Sequence, residues 1–120
     1  MDLKTLRLSS ADGITTITLD RPDDGNAIDV EMVDDLRLVC EHLEDENTDP
    51  VVLFRGANDL FSCGIDLRGF PADDKPNVHG FNRWERVCRT IERLPKVTVA
   101  AIEGECAGGG LQLALTCDVR

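Results

Sequence analysis

Residues 61–67 read Phe-Ser-Cys-Gly-Ile-Asp-Leu and residues 107–110 read Ala-Gly-Gly-Gly, and these two stretches carry the strongest signal of fold and function in the chain. Each is a turn rich in small residues that follows an apolar, strand-like run. Two such turns can direct backbone N–H groups at one point, which suits an oxyanion or a thioester carbonyl. The pattern predicts a function that depends on main-chain geometry more than on a side-chain triad.

Composition limits the class of partner. The chain has 120 residues, which is one domain or part of one, and 42% of them are hydrophobic. The 23 acidic and 13 basic residues give a formal net charge of −10. A nucleic-acid partner is not expected, because neutralising phosphates requires a basic surface. An anionic small molecule is still allowed where one or two cations lie close together.

The five cysteines include no CxxC pair, and they are predicted to be reduced thiols packed as small hydrophobic residues. The amino-terminal residues contain no apolar signal-like run. No apolar stretch approaches the ~18 residues that a membrane span needs. We therefore expect a cytoplasmic protein with no membrane partner.

The periodicity predicts alternating strands and helices. Residues 6–19 read as a hairpin around Asp12-Gly13, and Asp29 is suited to cap a helix whose apolar residues recur at helical spacing. A buried strand is predicted at 51–54, and the segment 69–77, with two prolines, is predicted to be a surface loop.

A second amphipathic helix is predicted to carry one apolar stripe and to stop at Pro95; the stripe comprises Phe81, Trp84, Val87, Cys88, Ile91 and Leu94. A buried strand at 97–102 and a helix after the glycine run follow, and residues 117–120 read as the start of another element. This alternation predicts an α/β fold with a mixed, largely parallel sheet and flanking helices.

Several alternative sites fail on spacing. The glycine run does not fit GxGxxG, and no GxxxxGK[ST] is present. Asp20, Asp24, Gly25 and Glu31 match calcium-loop positions, but Pro22 supplies no ligand oxygen where one is needed, so no metal site is expected.

Nucleophilic sites are not supported either. Ser62 lacks a GxSxG frame, and the sequence establishes no contact between Cys63 and either histidine. The three glycines either allow a helix to pack closely on a strand or leave the Gly109 N–H free to bind an anion. The sequence leaves both alternatives open.

Taken together, three segments resemble the crotonase (enoyl-CoA hydratase/isomerase) superfamily. Arg21-Pro22 followed by residues 26–28 (Asn-Ala-Ile) is similar to its "RP…NAL" signature. Residues 61–67 are similar to "F(S/C)AGADL", and 107–110 with Cys117-Asp118 to "GGG-x-E-L…CD". The resemblance covers almost the whole chain in order, and it implies the N-terminal portion of a crotonase-like ββα spiral.

The resemblance also implies a site. The N–H groups of Ile65 and Gly109 would form an oxyanion hole that polarises a coenzyme A thioester and stabilises its enolate. The substrate path would be lined by Asn26, Ala27, Ile28, Cys63, Gly64, Asp66, Leu67 and Gly108. Arg68 would meet a CoA phosphate, or else is a solvated loop cation. The thioester is the substrate, and no permanently bound cofactor is implied.

Two features depart from the family pattern. Gln112 occupies the position of a family glutamate, and a neutral amide can orient a water molecule but cannot take its proton. Family members are roughly twice this length, so residues 1–120 are expected to be the N-terminal half of a protein that is a homo-oligomer (trimer or hexamer) when complete. The 120 residues alone are expected to be inactive, because the C-terminal half completes the pocket and the trimer.

Two functions of different class follow. The first is an acyl-CoA enzyme of hydratase or isomerase type, in which Gln112 favours isomerisation, decarboxylation or thioester hydrolysis by one acid/base group from the other half. The second is a catalytically idle acyl-CoA-binding or assembly subunit.

Overall fold

The computed structural model describes residues 1–68 and 78–120, and the predicted loop at 69–77 lies outside them. The described part contains four strands, three α-helices and two short 3₁₀ turns. In chain order they are β1 (Leu6–Ala11), β2 (Ile14–Leu19), the turn Pro22–Asp24, α1 (Val30–Asp45), β3 (Val51–Gly56), the turn Ala57–Asp59, α2 (Val78–Arg93), β4 (Val97–Ala100) and α3 (Gly109–Thr116).

The strands form one sheet in the order β1-β2-β3-β4. The β1–β2 hairpin is antiparallel, and β3 and β4 each add in parallel, which confirms the mixed, largely parallel sheet. The hairpin turns through Asp12 and Gly13, whose φ angles of 55° and 79° match the right-handed twist of the flanking strands.

The last strand is shorter than the sequence predicts. It ends at Ala100 instead of continuing to residue 102, and Ala101 adds one more hydrogen bond, from its N–H to the Phe54 carbonyl at 2.9 Å. Its neighbour β3 turns away after Gly56, so residues beyond 101 have no partner in the sheet. They pair instead with residues 61–62, which brings the two small-residue turns side by side.

Helix α1 begins where predicted, because the Met32 N–H donates to the Asp29 carboxylate at 2.9 Å. Its apolar stripe is buried as expected, with Val33, Leu36, Val39, Cys40 and Leu43 in the core. Asp35 also lies on the buried side and ties the amino-terminal segment to the helix. One of its oxygens accepts from the N–H of Lys4 and from the N–H and hydroxyl of Thr5 at 2.8–3.0 Å.

Helix α2 packs against α1 and α3. The predicted stripe is confirmed for Trp84, Val87, Cys88, Ile91 and Leu94, all buried, while the side chain of Phe81 lies outside the described part. The helix ends at Arg93, two residues before Pro95. Among the helices of the described residues, none has the length and apolar character to cross a membrane.

We expect Asp35→Ala to lower the free energy of unfolding by about 1–3 kcal/mol, because the N–H of buried Thr5 would lose its acceptor. Asp34→Ala is the matched control on the same helix: Asp34 pairs with Arg83 at the surface, and such pairs contribute less than about 1 kcal/mol. Urea denaturation measures both, and equal losses would contradict the assignment.

Candidate functional site

Residues 61–66 run between two other segments and bond to both. On one side they pair with residues 25–28 and on the other with residues 105–107, through the isolated bridges Ile28–Ile65 and Ser62–Cys106. The hydrogen bonds are Cys63 N–H to Gly25 O (3.0 Å), Ile28 N–H to Gly64 O (2.8 Å), Asp66 N–H to Ile28 O (2.8 Å), Ser62 N–H to Glu105 O (3.0 Å) and Ala107 N–H to Ser62 O (3.1 Å).

This pairing leaves the Ile65 N–H free. In a parallel bridge the residues on either side of Ile65 bond to Ile28, so the N–H of Ile65 points the opposite way. Within the described residues it donates to no backbone or side-chain acceptor, whereas the other N–H groups from Phe61 to Asp66 all do.

Gly109 lies directly opposite. It is the first residue of α3, so its N–H is one of the donors that a helix leaves unpaired. A Cβ built on Gly109 would lie 3.4 Å from the Ile65 nitrogen and 2.9 Å from two Ile65 side-chain carbons. The structure therefore brings together the two amides predicted from the sequence, and a side chain at residue 109 would crowd the space between them.

Gly64 allows this close approach. Its φ is +112°, and a Cβ there would lie 3.0 Å from the Ala107 carbonyl oxygen and 3.4 Å from the Gly109 nitrogen. A residue with a side chain would be strained and would push the two turns apart.

The loop 26–28 packs against this turn and supports it. Asn26 is fully buried with φ +52°, and its side-chain NH₂ donates to the carbonyls of Ala57 and Leu60, each at 3.0 Å. Its side-chain oxygen accepts from the Arg21 N–H at 2.9 Å. The Asn26 side chain thus bonds to three backbone groups and ties its own loop to the turn that follows β3, and Ala27 and Ile28 are buried beside it.

Ser62 supports the turn through hydrogen bonds that the sequence did not indicate. It is fully buried, and its hydroxyl donates to the Asn26 carbonyl at 2.8 Å while accepting from the Gly64 N–H at 3.2 Å. It therefore fixes the peptide next to Ile65. In the sequence, Ser62 is marked only by its position between Phe61 and Gly64, and that position does not reveal these hydrogen bonds.

An ionic cluster closes the outer side of the turn. The Arg68 guanidinium donates to Asp66 and Asp24, each at 3.0 Å, and Arg21 reaches Asp66 at 3.3 Å. Hydrogen bonds from Arg68 lower the pKa of the buried Asp66 carboxyl to about 2, so it is ionised at neutral pH. The Arg68 side chain is nonetheless 74% exposed, which leaves it open to solvent at the rim.

The remaining predicted residues lie at the edge of the turn formed by residues 61–66. Leu67 and Gly108 are exposed, and Cys63 is half-buried with its Sγ 3.5 Å from the Asp24 carbonyl. Gly108 has φ +51° and precedes α3 as its N-cap.

The deeply buried thiols do not form a nucleophilic site. Burial raises the pKa of Cys40 and Cys88 to about 12 and that of Cys117 to about 11. All five cysteines are free, and these three pack in the core, whereas Cys63 and Cys106 are half-buried. In the described residues no group of His, Cys, Asp and Glu side chains is arranged to hold a metal ion.

Gln112 lies in the first turn of α3, three residues after Gly109. Its side-chain oxygen accepts a hydrogen bond of 2.8 Å from the indole N–H of Trp84, a buried residue of α2. The apolar spacing predicted Trp84 as a core residue, but it gave no sign of this contact.

Comparisons with known proteins identify the family. The sequence model of the family described as enoyl-CoA hydratase/isomerase matches residues 9–120. The protein named "Probable enoyl-CoA hydratase 2, mitochondrial" from Arabidopsis thaliana is 39% identical over 121 residues, covering 98% of this chain and 40% of that protein.

Solved structures give the same result. An enoyl-CoA hydratase from Bacillus anthracis superposes with a TM-score of 0.89 at 26% identity, covering 96% of this chain and 46% of that one. Pseudomonas aeruginosa DspI superposes with a TM-score of 0.90 at 29% identity, covering all of this chain and 47% of that one. The chain thus spans about 40–47% of the length of these relatives. The chain belongs to the enoyl-CoA hydratase/isomerase family, the crotonase superfamily, and has its α/β fold.

Proposed function

We propose that the complete protein acts on acyl-CoA thioesters and that the Ile65 and Gly109 N–H groups form its oxyanion hole. The observation that carries this proposal is a pair of backbone donors, on adjoining segments, that bond to no acceptor in the described residues. Two such donors stabilise the negative charge that develops on a thioester oxygen as an enolate forms, and one donor contributes ~3 kcal/mol in known enzymes.

The proposed substrate path runs along the loop 26–28, the turn 63–67 and Gly108. Of these, Leu67, Gly108 and the half-buried Cys63 are accessible, whereas Asn26, Ala27 and Ile28 are buried and support the path from behind, and Asp66 is engaged in holding the turn. We assign Arg68 to a CoA phosphate, because its guanidinium is exposed at the rim; to bind there it would exchange its contact with Asp24 for the phosphate.

Gln112 limits the chemistry. A carboxamide does not accept a proton at neutral pH, so water addition through this position would lack a general base. We propose a reaction that needs one acid/base group from the rest of the protein, such as double-bond isomerisation, decarboxylation or thioester hydrolysis. Simple hydration is expected to be weak.

A second candidate is a catalytically idle subunit that binds acyl-CoA or assists assembly. The observation in its favour is that Gln112, the family's acid/base position, is neutral and bonded to Trp84. Equilibrium binding of acyl-CoA without conversion of any enoyl-CoA, measured on the full-length protein, would favour this candidate over the enzyme.

We further propose that residues 1–120 form the N-terminal part of a longer, cytoplasmic protein that assembles as a trimer or hexamer. Exposed apolar side chains at Leu111, Leu115 and Val119 support an interface there. Sedimentation equilibrium of the full-length protein measures the assembly, and a monomer would contradict it.

We expect Gly109→Pro to reduce the conversion of enoyl-CoA by about 10²–10³-fold, because it removes one donor of the oxyanion hole. Proline is tolerated at the first position of a helix, but its Cβ would lie 2.9 Å from the Ile65 side chain, which would have to shift, so circular dichroism checks the fold of the variant before the assay. Stopped-flow or steady-state assays of the full-length protein at equal folded concentration give the ratio.

Free CoA is the matched control for this variant, because it lacks the thioester carbonyl. Its Kd should be unchanged in Gly109→Pro and raised in Arg68→Ala, where a phosphate contact is lost. Unchanged turnover in folded Gly109→Pro would exclude the proposed oxyanion hole.

Gln112→Glu is expected to raise the hydration of crotonyl-CoA, by up to about 10²–10⁴-fold where a second acidic group cooperates. Gln112→Leu is the control that supplies neither base nor hydrogen bond. Rapid hydration by the natural protein that persists in Gln112→Leu would show that residue 112 is not the acid/base position.

A further inference from the structure

The contact between Trp84 and Gln112 fixes which end of the amide faces outward. The indole N–H is a donor only, so the atom that receives it at 2.8 Å must be the Gln112 oxygen and not its nitrogen. The side-chain NH₂ of Gln112, which carries two donors, is therefore the group directed away from Trp84.

Trp84 is held firmly enough to impose this orientation. This residue is 2% exposed within the buried stripe of α2, and α2 packs against α3. The backbone of Gln112 is held in the first turn of α3, where its N–H donates to the Gly108 carbonyl at 2.9 Å. Both ends of the contact thus belong to packed helices, and only the amide rotation remains to be set by the hydrogen bond.

Gln112 lies nearly one turn after Gly109 on α3. Residues three apart on a helix are neighbours on one face, separated by about 4.5 Å along the axis. Gly109 in turn adjoins the Ile65 nitrogen. The Gln112 side chain is exposed, so its NH₂ group is accessible to a ligand whose carbonyl occupies the space beside Gly109.

We infer that Trp84 is a positioning residue that makes residue 112 a hydrogen-bond donor to the acyl chain. This inference rests on the proposed function. The site then selects acyl-CoA thioesters that carry an acceptor oxygen, such as a ketone, near C3, two bonds from the thioester carbon. An acyl chain without that oxygen leaves the NH₂ group bonded to water, and this group then adds nothing to the affinity for the thioester.

The preference for a thioester with the acceptor oxygen over one without it should equal the contribution of a single hydrogen bond. One net hydrogen bond corresponds to about five- to tenfold in affinity. We expect the full-length protein to bind 3-oxobutyryl-CoA that much more tightly than butyryl-CoA. Equilibrium dialysis measures both Kd values, with each thioester quantified chromatographically on both sides of the membrane.

Three variants show whether Trp84 positions the Gln112 amide or only stabilises the fold. In Trp84→Phe, which keeps an aromatic ring but no donor, the preference should fall to about twofold or less while the Kd for butyryl-CoA stays constant. Gln112→Leu should abolish the preference. Gln112→Glu should reverse it, because a carboxylate keeps the bond from Trp84 but repels an acceptor oxygen.

A ligand-free measurement tests the contact itself. In ¹H–¹⁵N spectra the indole resonance of residue 84 is the signal that Trp84→Phe removes. It should keep its position in Gln112→Glu, which retains an acceptor, and move upfield with faster solvent exchange in Gln112→Leu, which does not.

The outcomes distinguish the two proposals. Any of three results would overturn the positioning role of Trp84. These are an indole signal that does not change in Gln112→Leu, a preference for 3-oxobutyryl-CoA that does not change in Trp84→Phe, and an equal weakening of the binding of both thioesters in Trp84→Phe. If neither thioester binds the natural protein, the proposed function fails, and the indole signal still decides whether Trp84 orients the amide.

Discussion

The need to satisfy buried backbone hydrogen-bonding groups governs residues 61–66 and, through them, the whole site. These residues leave the sheet after β3, so their N–H and C=O groups require partners elsewhere. The loop 25–28 supplies partners on one side and residues 105–107 on the other. Because both neighbours are fixed in this way, the two small-residue turns meet, and the Ile65 N–H is left facing Gly109.

Side chains around this turn serve mainly to hold it. Asn26 ties its own loop to the turn after β3, the Ser62 hydroxyl fixes the peptide next to Ile65, and Arg68 with Arg21 neutralises the buried Asp66. Among the described residues around this turn, the Ile65 and Gly109 N–H groups and the side-chain NH₂ of Gln112 are open to a ligand, and the exposed Arg68 guanidinium would have to exchange its contact with Asp24. Such an arrangement suits the stabilisation of charge on a substrate oxygen more than nucleophilic attack by a side chain.

Local patterns predicted most elements correctly. The turn at Asp12-Gly13, the cap at Asp29 and the apolar stripes of α1 and α2 were readable, because each depends on residues within a few positions of one another. The strand predicted at 97–102 was too long, because its end depends on where β3 turns away, and that is not a property of its own residues.

The sequence alone determined the element types, the family resemblance and the two turns in which only small residues allow close approach. Tertiary structure decided which amides remain unpaired, that Arg68 is engaged by Asp24, and that Trp84 orients Gln112. The last two contacts join residues 44 and 28 positions apart. Local periodicity carries no information about such pairs, because they arise only when packed helices and paired segments bring distant side chains together.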